Sequence, residues 1–110
     1  MAIPQEHLDY LAGQFDAFGP ITVKRMFGGA GMFHEGLMIA MVNRDLLLRL
    51  KVDEHNQADY EARGMKPFSM DGKKKGMPYW EVPQDVIENR DQLAAWARKS
   101  FEAALRSKKK

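Results

Sequence analysis

Cysteine is absent from this chain, and aliphatic hydroxyl side chains nearly so: Thr22, Ser69, Ser100 and Ser107 are the whole set. Without thiols there is no disulfide, no thiolate nucleophile and no Cys-based zinc or iron–sulfur site. None of the serines lies in a Gly-x-Ser-x-Gly nucleophile elbow. Long apolar runs are missing as well. The longest, residues 37–42, is far too short to span a bilayer. The opening Met-Ala-Ile-Pro-Gln-Glu-His has neither the positive start nor the apolar core of a signal peptide. Small secreted domains usually lean on disulfides, so these absences place the protein in the cytoplasm and away from membranes.

A strong net charge is also lacking. The total is +2, yet residues 98–110 hold six basic side chains and one acidic one, which leaves the first 97 residues at −3. Lys73, Lys74 and Lys75 form a second basic cluster. A domain that reads DNA grooves spreads lysine and arginine over one folded face. Here the body is slightly acidic, so residues 106–110 read as a flexible basic tail at a solvated helix end. Nucleic-acid binding through Lys73, Lys74, Lys75, Lys108, Lys109 and Lys110, aided by Arg25, is the alternative reading.

What is present fits one globular domain. With 110 residues, 45% apolar and 29% charged, the chain can bury a single core, and residues 1–110 are expected to form one domain. Leu8, Leu11, Ala12 and Phe15 follow helical spacing within residues 5–18, and Gly19-Pro20 closes the segment. Residues 21–27 and 30–34 read as two strands joined by glycines. Glu35-Gly36 makes a turn into a third strand over 37–42. Asn43-Arg44-Asp45 is turn chemistry, and the alternation that follows places Leu46, Leu48 and Leu50 on one face.

A short helix is expected next, capped by Asp53, with Tyr60 and Ala62 inside and Gly64 at its end. Residues 67–70 and 77–82 read as a second hairpin with prolines at both ends. Pro83 opens a helical turn over 84–87. The last helix begins after Asn89, whose side chain caps it. Its apolar stripe is Leu93, Trp96, Ala97, Phe101, Ala104 and Leu105, with Glu102 placed to pair with Arg106. The order is helix, three to four strands, helix, two strands, helix. That is α+β: a mainly antiparallel sheet with helices packed on one face.

The glycines at 28, 29 and 31 invite a phosphate-loop reading, and the residues around them argue against it. No Lys-Ser/Thr follows, as a Walker loop requires, and the chain continues as strand where a dinucleotide fingerprint needs a helix. A hinge or bulge between two strands is the reading adopted. A ligand pocket there would need Arg25, Lys51 and backbone amides to converge, and such a binding or enzymatic role is the least favoured of three. His7, His34 and His55 fall on three different elements, without the spacing of metal ligands, and read as surface or turn residues. No cofactor, metal or catalytic set is expected. Eight methionines are more informative. Met26, Met32, Met38 and Met41 fall on the first sheet beside Phe27 and Phe33, where they either fill the core or make an adaptable binding face. Tyr79-Trp80 alternates across its strand, so one ring faces out as an interface anchor.

In order along the chain stand Arg25-Met26-Phe27-Gly28-Gly29-x-Gly31, Leu50-Lys51-Val52, Pro67-Phe68-Ser69, Met77-Pro78-Tyr79-Trp80-Glu81-Val82-Pro83 and Leu93-x-x-Trp96-Ala97. This series resembles the N-terminal domain of the TfoX/Sxy family, regulators of natural competence and DNA transformation, over about residues 8–105. The resemblance implies an α-β(3)-α-β(2)-α fold similar to type III secretion chaperones, which commonly dimerise. It implies a role in transcriptional control of DNA uptake, with no cofactor and no catalysis. The full-length regulators carry a second, helical domain, and functions seated there do not transfer to this chain. The expected function is a cytoplasmic regulatory module, a homodimer that also meets an unidentified protein partner. Arg25, Phe27, Gly28, Gly29, Gly31, Tyr79 and Trp80 are its expected contact residues.

Overall fold

The computed structural model describes residues 3–26, 29–67 and 78–108. Helix α1 (Gln5–Gln14) buries Leu8 and Leu11 and opens after Pro4. It stops four residues short of the expected end. Phe15, Asp16 and Phe18 donate to Ala12, Gly13 and Phe15 through three-residue turns, a tighter winding that still buries Phe15. Four strands follow: β1 (Thr22–Met26), β2 (Gly29–His34), β3 (Leu37–Val42) and β4 (Leu48–Lys51). Then come α2 (Gln57–Glu61), β5 (Tyr79–Glu81), α3 (Gln84–Glu88) and α4 (Arg90–Lys108). The strands make one antiparallel sheet in the order β1-β2-β3-β4-β5. The fold is α+β, as expected. Of the second hairpin's first arm, the described part is Pro67, bridged to Trp80; residues 68–77 lie outside the described residues.

Strand pairing sorts the side chains by face. Val23, Met32, Ala40, Leu50 and Trp80 stand in one cross-strand row. Ala30, Val42 and Leu48 stand in another on the same face, and both rows feed the core with α1 and α4. The register slips between Met32 and Phe33, where Phe33 pairs with Met38 and skips Ile39. Ile39 and Ala40 therefore both turn inward, and both are fully buried. Met32 is core, whereas Met26 and Met38 lie half-buried on the other face. Met41 is also on that other face but buried, so the four methionines divide between the two sides of the sheet.

Helix α4 lies over β3 and β4 and carries most of the roof. Asn89 caps it as expected, its Oδ1 accepting the Gln92 amide at 3.1 Å. Leu93, Ala97, Ser100 and Ala104 are buried, but Leu105 is exposed, one position off the covered stripe. Arg106 does not pair with Glu102. It donates to both Asp53 oxygens at 2.7 and 3.0 Å, tying the helix end to the segment after β4. Asp53 does not cap α2 either, because Asn56 stands at that position. Ala62 falls just past the helix and is exposed.

His34 is the histidine that departs most from its surface reading. It is buried between Phe18 and Phe101, with ring centroids 4.5 and 5.0 Å away. Its Nδ1–H donates to the Pro20 carbonyl at 2.8 Å, which joins the α1–β1 corner to β2 and α4. Deeper still, burial pushes the Tyr60 phenol well above its ordinary range, with the Ser100 hydroxyl beside it.

Candidate functional site

At one end of the sheet three pieces of chain meet: the paired ends of β1 and β2, the β3–β4 loop and the first turns of α1. Gly29 opens β2 opposite Met26. A Cβ on Gly29 would lie 2.5 Å from the Val42 carbonyl oxygen and 3.3 Å from Asn43 Oδ1, so the hinge backs directly onto the start of the β3–β4 loop. Arg25 is exposed on the helical side of the sheet and donates to Gln5 Oε1 on α1 at 3.2 Å. Two residues along, His7 Nε2–H donates to the Leu46 carbonyl at 2.8 Å.

The β3–β4 loop holds an unusual shape. Leu46 has φ 67°, a left-handed conformation that a branched side chain adopts at a cost of about 1–2 kcal/mol. Hydrogen bonds enforce it. The Leu46 amide donates to Asn43 O at 2.9 Å, and the Leu47 amide to Asp45 Oδ1 at 3.0 Å. Asp45 is clamped in turn by the buried Arg49, at 2.9 and 3.3 Å. Burial works against the Asp45 carboxylate, but Arg49 and the Leu47 amide outweigh it and hold its carboxyl below the ordinary value. This geometry overturns the expected alternation. Leu48 and Leu50 enter the core, whereas Leu46 and Leu47 point to solvent, each 40% exposed.

Those two leucines border an apolar groove. Tyr10 and Leu11 of α1, Leu48, Val82 and Ile87 line it as well, together with the polar His7, Glu81 and Gln84. Among the described residues, the large apolar side chains exposed to water are Tyr10, Leu46, Leu47 and Leu105. Three of the four line this groove. Scattered exposed apolar residues need no explanation, but these three are clustered, two of them on a strained loop.

The outer face of the sheet carries a second feature. Gly31 is the floor of a shallow cup. A Cβ there would lie 3.0 Å from Phe33 Cε1 and 3.2 Å from both Met26 Cε and Met38 Sδ. Lys24 stands over the Phe33 ring at 5.3 Å. Tyr79 lies on this outer face under Lys51, 5.4 Å from its ring, and burial raises its phenol pKa. Trp80 is the inward ring of the pair and packs against Tyr60 at 6.1 Å.

The structure thus brings Arg25 and Gly29 to one end of the sheet, but Gly31 and Tyr79 are both buried beneath its outer face, so the ring expected to face out as an anchor is covered by its neighbours. Phe27, Gly28, Lys73, Lys74, Lys75, Lys109 and Lys110 lie outside the described residues. Lys108 ends α4, exposed. Arg25 and Lys51 project from opposite faces of the sheet, because Arg25 aligns with Ala30 and Lys51 shares the face of Arg49. They do not converge on a pocket. Asp53, Glu54 and His55 could bring ligand atoms within 4.8 Å of one another. The Asp53 oxygens, however, are already taken by Arg106 and the His55 amide.

The family model of the TfoX N-terminal domain matches residues 13–104, nearly the whole sheet and helical roof. The chain belongs to the TfoX N-terminal domain family. It is therefore a regulator-like domain of the competence-related TfoX type. No curated protein matches the chain. Among the described residues of this TfoX domain, no helix is long and apolar enough to cross a membrane. Sequence reasoning missed Tyr10, Leu46 and Leu47 as site residues. One signal was available: Tyr10 is a large aromatic lying off the Leu8–Leu11 stripe of its helix.

Proposed function

We propose that this TfoX-type domain is a non-enzymatic regulatory module of the cytoplasm that acts by docking protein. It works as a homodimer and meets at least one further protein. The docking surface is the sheet end built from Arg25, Gly29, the β3–β4 loop and Tyr10. The observation that carries this reading is Leu46, kept at φ 67° so that two leucines face water beside an apolar groove. A few side chains seated in well-packed pockets, tyrosines and arginines foremost, supply most of the energy of protein interfaces, while a rim charge such as Arg25 tunes recognition and association rate.

The test is affinity capture from the protein's own cell extract, comparing the native domain with Leu47→Asp and Arg25→Glu. A protein retained by the native domain and lost from Leu47→Asp is the expected result. An identical set of captured proteins on all three forms would refute the docking surface. Nuclease-sensitive retention that depends on the lysine tail would favour the nucleic-acid alternative.

A further inference from the structure

We infer that His34 is a proton-operated latch: a second proton on its ring ties the β2–β3 turn to the α1–β1 corner. The inference stands apart from the docking surface and rests on what each ring nitrogen meets.

One nitrogen is already committed. Nδ1 lies 2.8 Å from the Pro20 carbonyl oxygen, an acceptor that requires a proton on this atom. In the neutral ring the other nitrogen, Nε2, is then a bare acceptor. Yet the group that stands 3.5 Å from Nε2 is a second acceptor, Glu35 Oε2. Two acceptors repel. The contact turns attractive when Nε2 gains a proton, since the imidazolium donates from both nitrogens.

The backbone puts Glu35 there. Glu35 at φ 50° and Gly36 at φ 82° are consecutive left-handed residues in a two-residue hairpin loop, the I′ pattern. Asparagine, aspartate or glycine is the usual first residue of such a turn, because other side chains resist the left-handed region. Here a glutamate takes the position and reaches back to the residue before it. Gly19 makes room for the ring. At φ 151° it leaves His34 Cε1 3.0 Å from where a Cβ would stand, so a side chain there would push the imidazole out.

The other groups that face the ring are uncharged. They are Phe18, Gly19 and Pro20 from the corner, Leu37 across the hairpin, and Phe101 from α4. Of the charged residues on these elements, Asp16, Arg98 and Glu102 are exposed, while Lys99 and Arg106 are engaged with Asp59 and Asp53. Lys24 of β1 stands over Phe33 on the opposite face of the sheet. Among the described residues, Glu35 is the carboxylate within ion-pairing range of His34.

Glu35 is 72% exposed, so the gain is that of a surface ion pair, small but switched. It exists where an imidazole is charged and a carboxylate is still ionised, a window of about pH 4.3–6.5. On acidification into that window one ring joins three pieces of chain: the corner through Pro20, the turn through Glu35 and α4 through Phe101. At higher pH the turn is released, and the corner keeps its bond.

The experiment is thermal unfolding of the full chain, of Glu35→Gln and of a control, Glu88→Gln, at about pH 8 and at about pH 5.5. Glutamine keeps the length and backbone preference of glutamate, so the turn is undisturbed. Glu88 is exposed, and its carboxylate accepts from Gln84 with no histidine beside it. At the alkaline pH Glu35→Gln is expected to melt with the native chain. At the acid pH it melts about 2–4 °C lower, and added salt shrinks that gap. Glu88→Gln shows no such gap. Nitrogen–proton correlation spectra of the imidazoles in the native chain give a readout independent of stability. They are expected to place the His34 proton on Nδ1 at the alkaline pH and a second proton on Nε2 in acid. A gap equal at both pH values, or matched by Glu88→Gln, would overturn the latch. So would a neutral ring protonated on Nε2, or a ring that stays neutral in the acid sample.

Discussion

Gly29 and Gly31 are two residues apart on β2, yet an added methyl group meets opposite kinds of neighbour at each. At Gly29 it would meet the Val42 carbonyl oxygen at 2.5 Å, and backbone in a paired strand cannot move aside without breaking the ladder. At Gly31 the obstacles are the Phe33 ring edge and the mobile ends of Met26 and Met38. Gly29→Ala is therefore expected to cost about 2–4 kcal/mol and Gly31→Ala about 1 kcal/mol. Urea unfolding of the two variants checks the order; equal losses would contradict it. Leu46 gives a second prediction. Asparagine tolerates the left-handed region better than leucine does. Leu46→Asn is expected to stabilise the domain by about 0.5–1 kcal/mol while weakening whatever binds the groove. Calorimetry and a binding assay together test that trade of stability against function.

The joints between elements are polar, and each ties a helix to another helix or to a loop. Gln14 Nε2 donates to the Ile87 carbonyl at 2.8 Å, joining α1 to α3, and Lys99 meets Asp59 at 2.7 Å across α4 and α2. The Arg106–Asp53 joint has a pH signature. The Arg106 guanidinium, helped by the His55 amide, holds the Asp53 carboxyl below its ordinary 3.8. A carboxyl depressed in the folded state contributes stability that is fully present above its unfolded value and disappears as pH falls through the folded one. Asp53→Asn is thus expected to be less stable than the native chain at neutral pH, with the gap closing below about pH 4. Thermal unfolding across pH 2–7 measures it, and a gap that persists or widens in acid would count against this joint. The same residues show why helix ends were hard to read from the chain. Asp53 and Asn56 are both good caps, and only the contact with Arg106, 53 residues away, draws Asp53 to another task.

For the molecule as a whole, one core under α4 carries the stability. Leu93 is fully buried against the sheet, as are Ile39, Val42 and Leu50. Leu93→Ala removes packing that the roof cannot recover, and about 2–5 kcal/mol is the expected cost. In a domain of this size that lowers the melting temperature by roughly 10–20 °C. The transition should stay cooperative, because sheet and roof share one core. Two separate transitions would mean that α4 detaches on its own.

The chain by itself determined what local periodicity can carry. The stripes of α1 and α4, the alternation of the strands, the Asn89 cap and the glycine break each depend on neighbours a few residues apart. So did the series of short motifs that marked the TfoX family. Tertiary structure decided what depends on distant partners. His34 is buried because Phe18 and Phe101 close on it. Three leucines in a row, 46 to 48, fit several strand registers equally well. Only the Asp45–Arg49 clamp and the His7 hydrogen bond turn two of them outward to meet Tyr10, a residue 36 positions earlier in the chain.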